Sequence, residues 1–195
     1  MGFALSWFAV MCSRETAMTH MGLEPGVEVG DTTPDRLAVA ELPDGWLLFM
    51  SGNLDEAFMD HVTSLSQHGP AVACAIEEHV MFHEARGYAA GTERWRVTHD
   101  PGADAGIHHL EVAGDPPQAF EAIHQAAVAQ QDKAGGEDAD VDFVCEAPVD
   151  LAMSICGFRH DIDWPEGLTF RELRRPRQPP KDRGPGLFQR LFGRS

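Results

Sequence analysis

Apolar and polar positions along this chain follow two periods, and their order predicts the elements. The run Ser6-Trp7-Phe8-Ala9-Val10 reads as a first strand, and Ser13 to Met21 as a short helix opened by a Ser cap and stopped at Gly22. After a loop rich in Gly, Thr and Asp, the runs Leu37 to Leu42 and Trp46 to Met50 flank the turn sequence Pro43-Asp44-Gly45 and predict a hairpin. Asn53 with Glu56 has the form of a capping box, and Leu54, Phe58, Val62 and Leu65 recur at helical spacing until Gly69-Pro70 ends the pattern.

The stretch Ala71 to Ala85 alternates like a strand, and Glu93 to His99 and Ile107 to Val112 continue it across Gly-containing turns as a three-stranded meander. Asp115 and Pro116-Pro117 start a helix whose face is Phe120, Ile123 and Ala127, ending at Gly135-Gly136. A fourth helix, Pro148 to Cys156, is apolar on nearly every side and stops at Gly157. Leu168 to Leu173 adds an edge strand. Hairpins mixed with helices predict an α+β fold: an antiparallel sheet, made of a hairpin and a meander, with about four helices packed on one face.

The length of 195 residues and the 43% hydrophobic content suit one folded domain. From Arg174 the composition shifts to Arg, Pro and Gly. The expected organisation is an acidic domain over residues 1–173 and a flexible basic tail over 174–195. Charge divides along the same boundary. Residues 171–195 hold eight Arg and Lys against two acids, while residues 1–170 hold seven against 29, a net −22 within a total of −16. A body that negative repels nucleic acid phosphates and attracts cationic protein partners.

Cys12, Cys74, Cys145 and Cys156 have no CxxC spacing, no secretion signal precedes them, and they read as reduced, mostly buried thiols. The apolar stretch Phe3 to Cys12 is too short to span a bilayer, so the expected location is the cytoplasm. Arg far outnumbers Lys, which suggests a GC-rich bacterial genome. The match of Gly2 and Ser6 to a myristoylation pattern is read as chance.

Reactive side chains are densest in Glu77-Glu78-His79-Val80-Met81-Phe82-His83-Glu84. Val80 and Phe82 occupy the positions where the zinc-helix motifs need Glu. Read as a strand, the segment pairs Glu84 with Arg94, His79 with His99 and Met81 with Val97. One face then carries His79, His83, His99 and His109 with Glu77 and Glu111, a donor set for a divalent transition metal. Val72, Cys74, Ile76, Val80, Phe82, Leu110 and Val112 form the opposite, core face. No other cofactor is expected.

Asp138, Asp140 and Asp142 have the spacing that opens a calcium loop, but Phe143 and Val149 replace its required Gly and Glu, so the segment reads as a solvated acidic loop. Arg159 and His160 suit a helix C-terminus, and His160-Asp161 lacks identifiable partner ligands. GxSxG, P-loop and GxGxxG signatures are missing.

In the tail, Leu187, Phe188, Leu191 and Phe192 form one apolar face of a short helix, with Arg190 toward water. So short a segment orders only on a partner, and protein docking is favoured over an anionic membrane surface. It resembles the Leu-Phe peptides that dock bacterial proteins on the DNA sliding clamp, with Phe188 where those carry Gln.

The leading expectation is a non-enzymatic binding protein of immunity or regulatory type, whose acidic body engages a cationic protein. The alternative is a metal-dependent hydrolase that uses the His/Glu face.

Overall fold

The computed structural model describes residues 2, 4–30, 36–52, 56–102, 109–164 and 166–176. Within them the chain runs β1 (Ala4–Val10), α1 (Arg14–Met21), β2 (Glu24–Gly30), β3 (Ala38–Glu41), β4 (Leu47–Ser51), α2 (Glu56–Leu65), β5 (Ala71–Glu77), β6 (Phe82–Ala89), β7 (Thr92–His99), β8 (Glu111–Gly114), α3 (Ala119–Ala134), α4 (Ala147–Cys156) and β9 (Phe170–Arg174). All nine strands join one antiparallel sheet in the order β2-β9-β3-β4-β1-β5-β6-β7-β8. The fold is α+β, with a larger sheet than the hairpin and meander expected from sequence. No helix among the described residues is long and apolar enough to cross a membrane.

Local chemistry explains most boundaries. Ser13 Oγ accepts from the Thr16 N–H at 3.1 Å and opens α1, and Gly22 closes it in the left-handed region at φ 63°. Gly157 closes α4 in the same way at φ 74°. Asn53 and Leu54, the cap and first apolar position expected for α2, lie outside the described residues; Val62 and Leu65 are fully buried.

The helices cover both faces of the sheet, not the single face expected. Trp7 and Phe8 are adjacent in β1, point to opposite sides, and are both fully buried. One core layer joins Leu5, Trp7, Met50, Cys74 and Ile76 to Val149, Leu151 and Phe158 around α4, with α3 packed outside it. The other joins Phe8, Phe49 and Ala73 to Ala17 of α1 and Val62 and Leu65 of α2. Continuous apolar runs in the central strands supply both layers.

Two other differences follow from strand chemistry. The Gly- and Pro-containing segment expected as a loop forms β2, an outer strand with Pro25, two register shifts and exposed acids, features that discourage edge pairing. Strand β9 is interior, inserted between β2 and β3, where Phe170 is fully buried.

The stretch Ala71 to Ala85, expected as one strand, is divided between β5 and β6. The chain turns at Glu78–Met81, with Met81 at φ 56°, so Val80 is 58% exposed and does not join the core. Val112, at 44%, does not either. The β6–β7 register differs correspondingly: His83 faces His99, Ala85 faces Val97, and Glu84 faces Thr98.

Candidate functional site

Three segments that carry separate signals in the sequence meet on the α4 side of the sheet: Glu78 to His83, Asp142 to Glu146, and Phe158 to Asp161. Strands β6 and β7 present His83 and His99 side by side toward α4. Both are almost fully buried, and so is His160. A tight turn at Val144–Glu146 leads into α4 and brings Cys145 and Glu146 against them.

The turn is held from two directions. Asp142 Oδ1 accepts from the N–H groups of Val144 and Cys145 at 3.0 and 3.1 Å, while its Oδ2 lies 3.1 Å from His99 Nε2. His99 Nδ1 reaches the Met81 carbonyl at 3.0 Å, tying the β5–β6 turn to the same network. From α3, the fully buried Gln131 donates to the Gly136 and Val141 carbonyls and accepts from the Phe143 N–H.

His83 Nδ1 lies 2.7 Å from the Cys145 carbonyl. A carbonyl only accepts, so Nδ1 carries a proton, and Nε2 is the nitrogen that can offer a lone pair. That Nε2 is buried without a hydrogen-bond partner. The Cys145 thiol donates to the Asp142 carbonyl at 3.0 Å and approaches Glu146 Oε1 at 3.5 Å. Burial pushes this thiol far up, and Glu146 and Asp142 push it further, so it rests as a thiol and not as a nucleophilic thiolate.

Arg159, just beyond α4, gathers Glu146, Asp150 and Asp161 by ion pairs. Burial acts against ionisation of Asp161, but the hydrogen bonds and charge of Arg159 outweigh it and hold the carboxyl low. Burial raises the Asp150 carboxyl; Arg159 opposes this, and Glu146 and Asp161 reinforce it. One guanidinium therefore faces three carboxylates and leaves Asp150 undercompensated. His160 Nε2 lies 3.5 Å from Glu78 Oε1, and burial lowers this imidazole despite the two neighbouring carboxylates.

No protein-family model, curated protein or solved structure matches this chain. The site is therefore read from its own geometry. A groove of about 580 Å³ opens between α3 and α4. Ile123, Ala126 and Met153 give it an apolar surface, and Glu146, Asp150 and Arg159 place charge along it. Glu146 thus belongs both to the groove and to the buried network.

Of the six residues expected to form a metal-binding face, two separate pairs come together, His83 with His99 in the buried network and His79 with Glu77 at the surface. His79 is an exposed turn residue bonded to Glu77 at 2.7 Å. His109 is exposed ahead of β8. Glu111 pairs with Thr98, the strand neighbour of His99, and so projects from the opposite face. Of the D-x-D-x-D run, Asp142 turns inward as a cap, while Asp138 and Asp140 are exposed. Tail residues Leu187, Phe188, Arg190, Leu191 and Phe192 lie outside the described residues. Cys145 was expected only as a buried thiol, and Glu146 and Gln131 fit no spacing motif that would have placed them here.

Proposed function

We propose that this chain is a cytoplasmic protein-binding module of a bacterial cell, and that the α3/α4 groove takes a basic segment with an apolar face from a partner protein. The observation that carries this reading is the groove itself: an apolar surface beside three carboxylates that share one arginine. A volume of about 580 Å³ is large enough for a few side chains. The net −22 of residues 1–170 supports it, because a strongly acidic surface speeds encounter with cationic partners and rejects anionic ones.

The test uses a fluorescent peptide of residues 184–195, whose Leu, Phe and Arg residues have the required chemistry. Its anisotropy should rise on addition of the full chain, and binding should weaken in high salt. Ala126 is exposed on α3 within the groove, so Ala126→Lys adds bulk and positive charge there without disturbing the core. It should weaken binding by about tenfold or more, which corresponds to about 1.4 kcal/mol. Absence of binding, or equal binding by Ala126→Lys, refutes the proposal.

A further inference from the structure

We infer that His83, Cys145 and Glu146 form a binding site for one zinc-class transition-metal ion, in which Glu146 is the residue shared with the groove lining. A ligand nitrogen of His83, Cys145 Sγ and a Glu146 carboxylate oxygen all lie within 4.8 Å of one another. Among the described residues this is the one such group of three or more potential donors. It differs from the His/Glu face that the sequence suggested, and it shares Glu146 with the groove.

Three features go beyond clustering. His83 is 1% exposed, and its Nε2 is a buried polar atom with no hydrogen-bond partner. Leaving such a group unpaired is costly, and a coordinate bond would offset that cost. Its Nδ1–H is bonded to the Cys145 carbonyl, and metal-binding histidines commonly fix their ring and tautomer through such a bond. Glu146 is anchored by Arg159 and the turn by Asp142, so the carboxylate and the thiol are oriented from outside the trio.

The donor types select the ion. Calcium and magnesium take oxygen ligands, whereas one nitrogen, one sulfur and one oxygen suit zinc and its spectroscopic substitute cobalt. Bonds of about 2.0–2.3 Å in a tetrahedron hold ligand atoms about 3.3–3.8 Å apart, so the trio must close by about an ångström at its widest. Rotation of the Cys145 and Glu146 side chains can supply that closure while the turn stays in place. On binding, the thiol proton leaves to solvent and the thiolate sulfur donates its pair to the metal. Three protein ligands leave a fourth position for water.

The test titrates cobalt(II) into the reduced, chelator-treated full chain. The expected result is one equivalent bound, with a thiolate-to-cobalt charge-transfer band in the near ultraviolet that zinc abolishes by displacement. Cys145→Ser should remove the band, and His83→Gln and Glu146→Gln should each weaken binding by more than about tenfold. Cys12→Ser and His79→Ala should leave both readouts unchanged. Far-ultraviolet circular dichroism checks the fold of each variant. If the wild-type chain binds no stoichiometric cobalt or shows no thiolate band, or if Cys12→Ser is the change that abolishes the band, the proposal is overturned.

Discussion

Replacing Gln131 should loosen the turn that carries Cys145 and Glu146, and the cost can be worked from its bonds. Gln131 is fully buried on α3 and makes three hydrogen bonds: to the Gly136 carbonyl at 2.8 Å, to the Val141 carbonyl at 3.0 Å, and from the Phe143 N–H at 2.7 Å. Gln131→Met nearly preserves shape while removing all three, so the loss is polar and leaves little cavity. A buried N–H stripped of its acceptor costs about 1–3 kcal/mol, and this is the Phe143 group. The two carbonyls belong to more exposed loop residues and can turn to water, adding about 0.5–1 kcal/mol between them. The expected total is about 1.5–4 kcal/mol, or a fall in Tm of about 3–16 °C for a chain of this size. Gln131→Glu should cost more than Gln131→Met despite its closer shape, because a carboxylate oxygen would then face two carbonyl oxygens. Chemical denaturation gives the free energies, and amide exchange at Phe143 to Glu146 reports whether the loss is local. If Gln131→Met stays within about 0.5 kcal/mol of the wild type, the three bonds do not hold the turn and the reasoning fails.

Three further outcomes are expected. In Gly87→Ala the new Cβ would stand 2.7 Å from Trp95 Cζ2 and closer still to two other indole atoms, so β6 or the ring must shift. Overpacking of this kind costs about 1–3 kcal/mol, and an unchanged denaturation midpoint would show that the indole moves aside freely. Burial holds the His160 imidazole below its usual 6.5, against the upward pull of Asp161 and Glu78 and with a smaller downward push from Arg159. The unfolded chain then binds the extra proton first. Stability is complete above about pH 6.5 and falls as the pH drops below it, by about 1.4 kcal/mol for each pKa unit of depression. His160→Gln should lose less stability on acidification; parallel pH profiles would refute this. Finally, a thiol reagent should label only Cys12 in the native chain and four thiols in denaturant, because Cys74, Cys145 and Cys156 are buried and the last is pushed up to about 11. Fast native labelling of two or more would contradict that burial.

The readable parts of the sequence were those with local physical signals. Ser13 and Gly22 bracket α1, Pro43-Asp44-Gly45 makes the hairpin, Pro116-Pro117 and Gly135 bracket α3, and Gly157 ends α4; each acts on backbone within a few residues of itself. The errors concern long-range placement. Trp7-Phe8 and Leu47-Leu48-Phe49-Met50 are apolar at successive positions, so both faces of the sheet needed cover, yet alternation elsewhere favoured a one-sided reading. Nothing local in Phe170 to Arg174 shows that β9 enters the sheet between β2 and β3. The turn at Met81 was hidden because Glu78 to Met81 has no Gly, Pro, Asn or Asp, the residues that usually mark one.

The same turn explains why the buried network could not be assembled from spacing. An unbroken strand from Ala71 to Ala85 paired His79 with His99; the turn instead moves the partner of His99 four residues along, to His83. His83 and His99 still share a face, but the turn sets His83 opposite Ile76, on the face of Cys74 and Ile76 expected to be separate core; it removes His79 and leaves room there for a loop from elsewhere in the chain. Asp142 to Glu146 fills that room from 43 residues beyond His99 in the sequence, as numbered from Asp142. Motif patterns such as HExxH or the calcium loop test ligands that one helix or one loop presents at fixed intervals. Here β6 supplies one donor, the turn before α4 supplies two, and Arg159 supplies the anchor from beyond α4. Each segment taken alone contains an ordinary His, Cys or acid. Their joint meaning depends on the strand register and on the Gln131 clasp, which exist only in the folded chain.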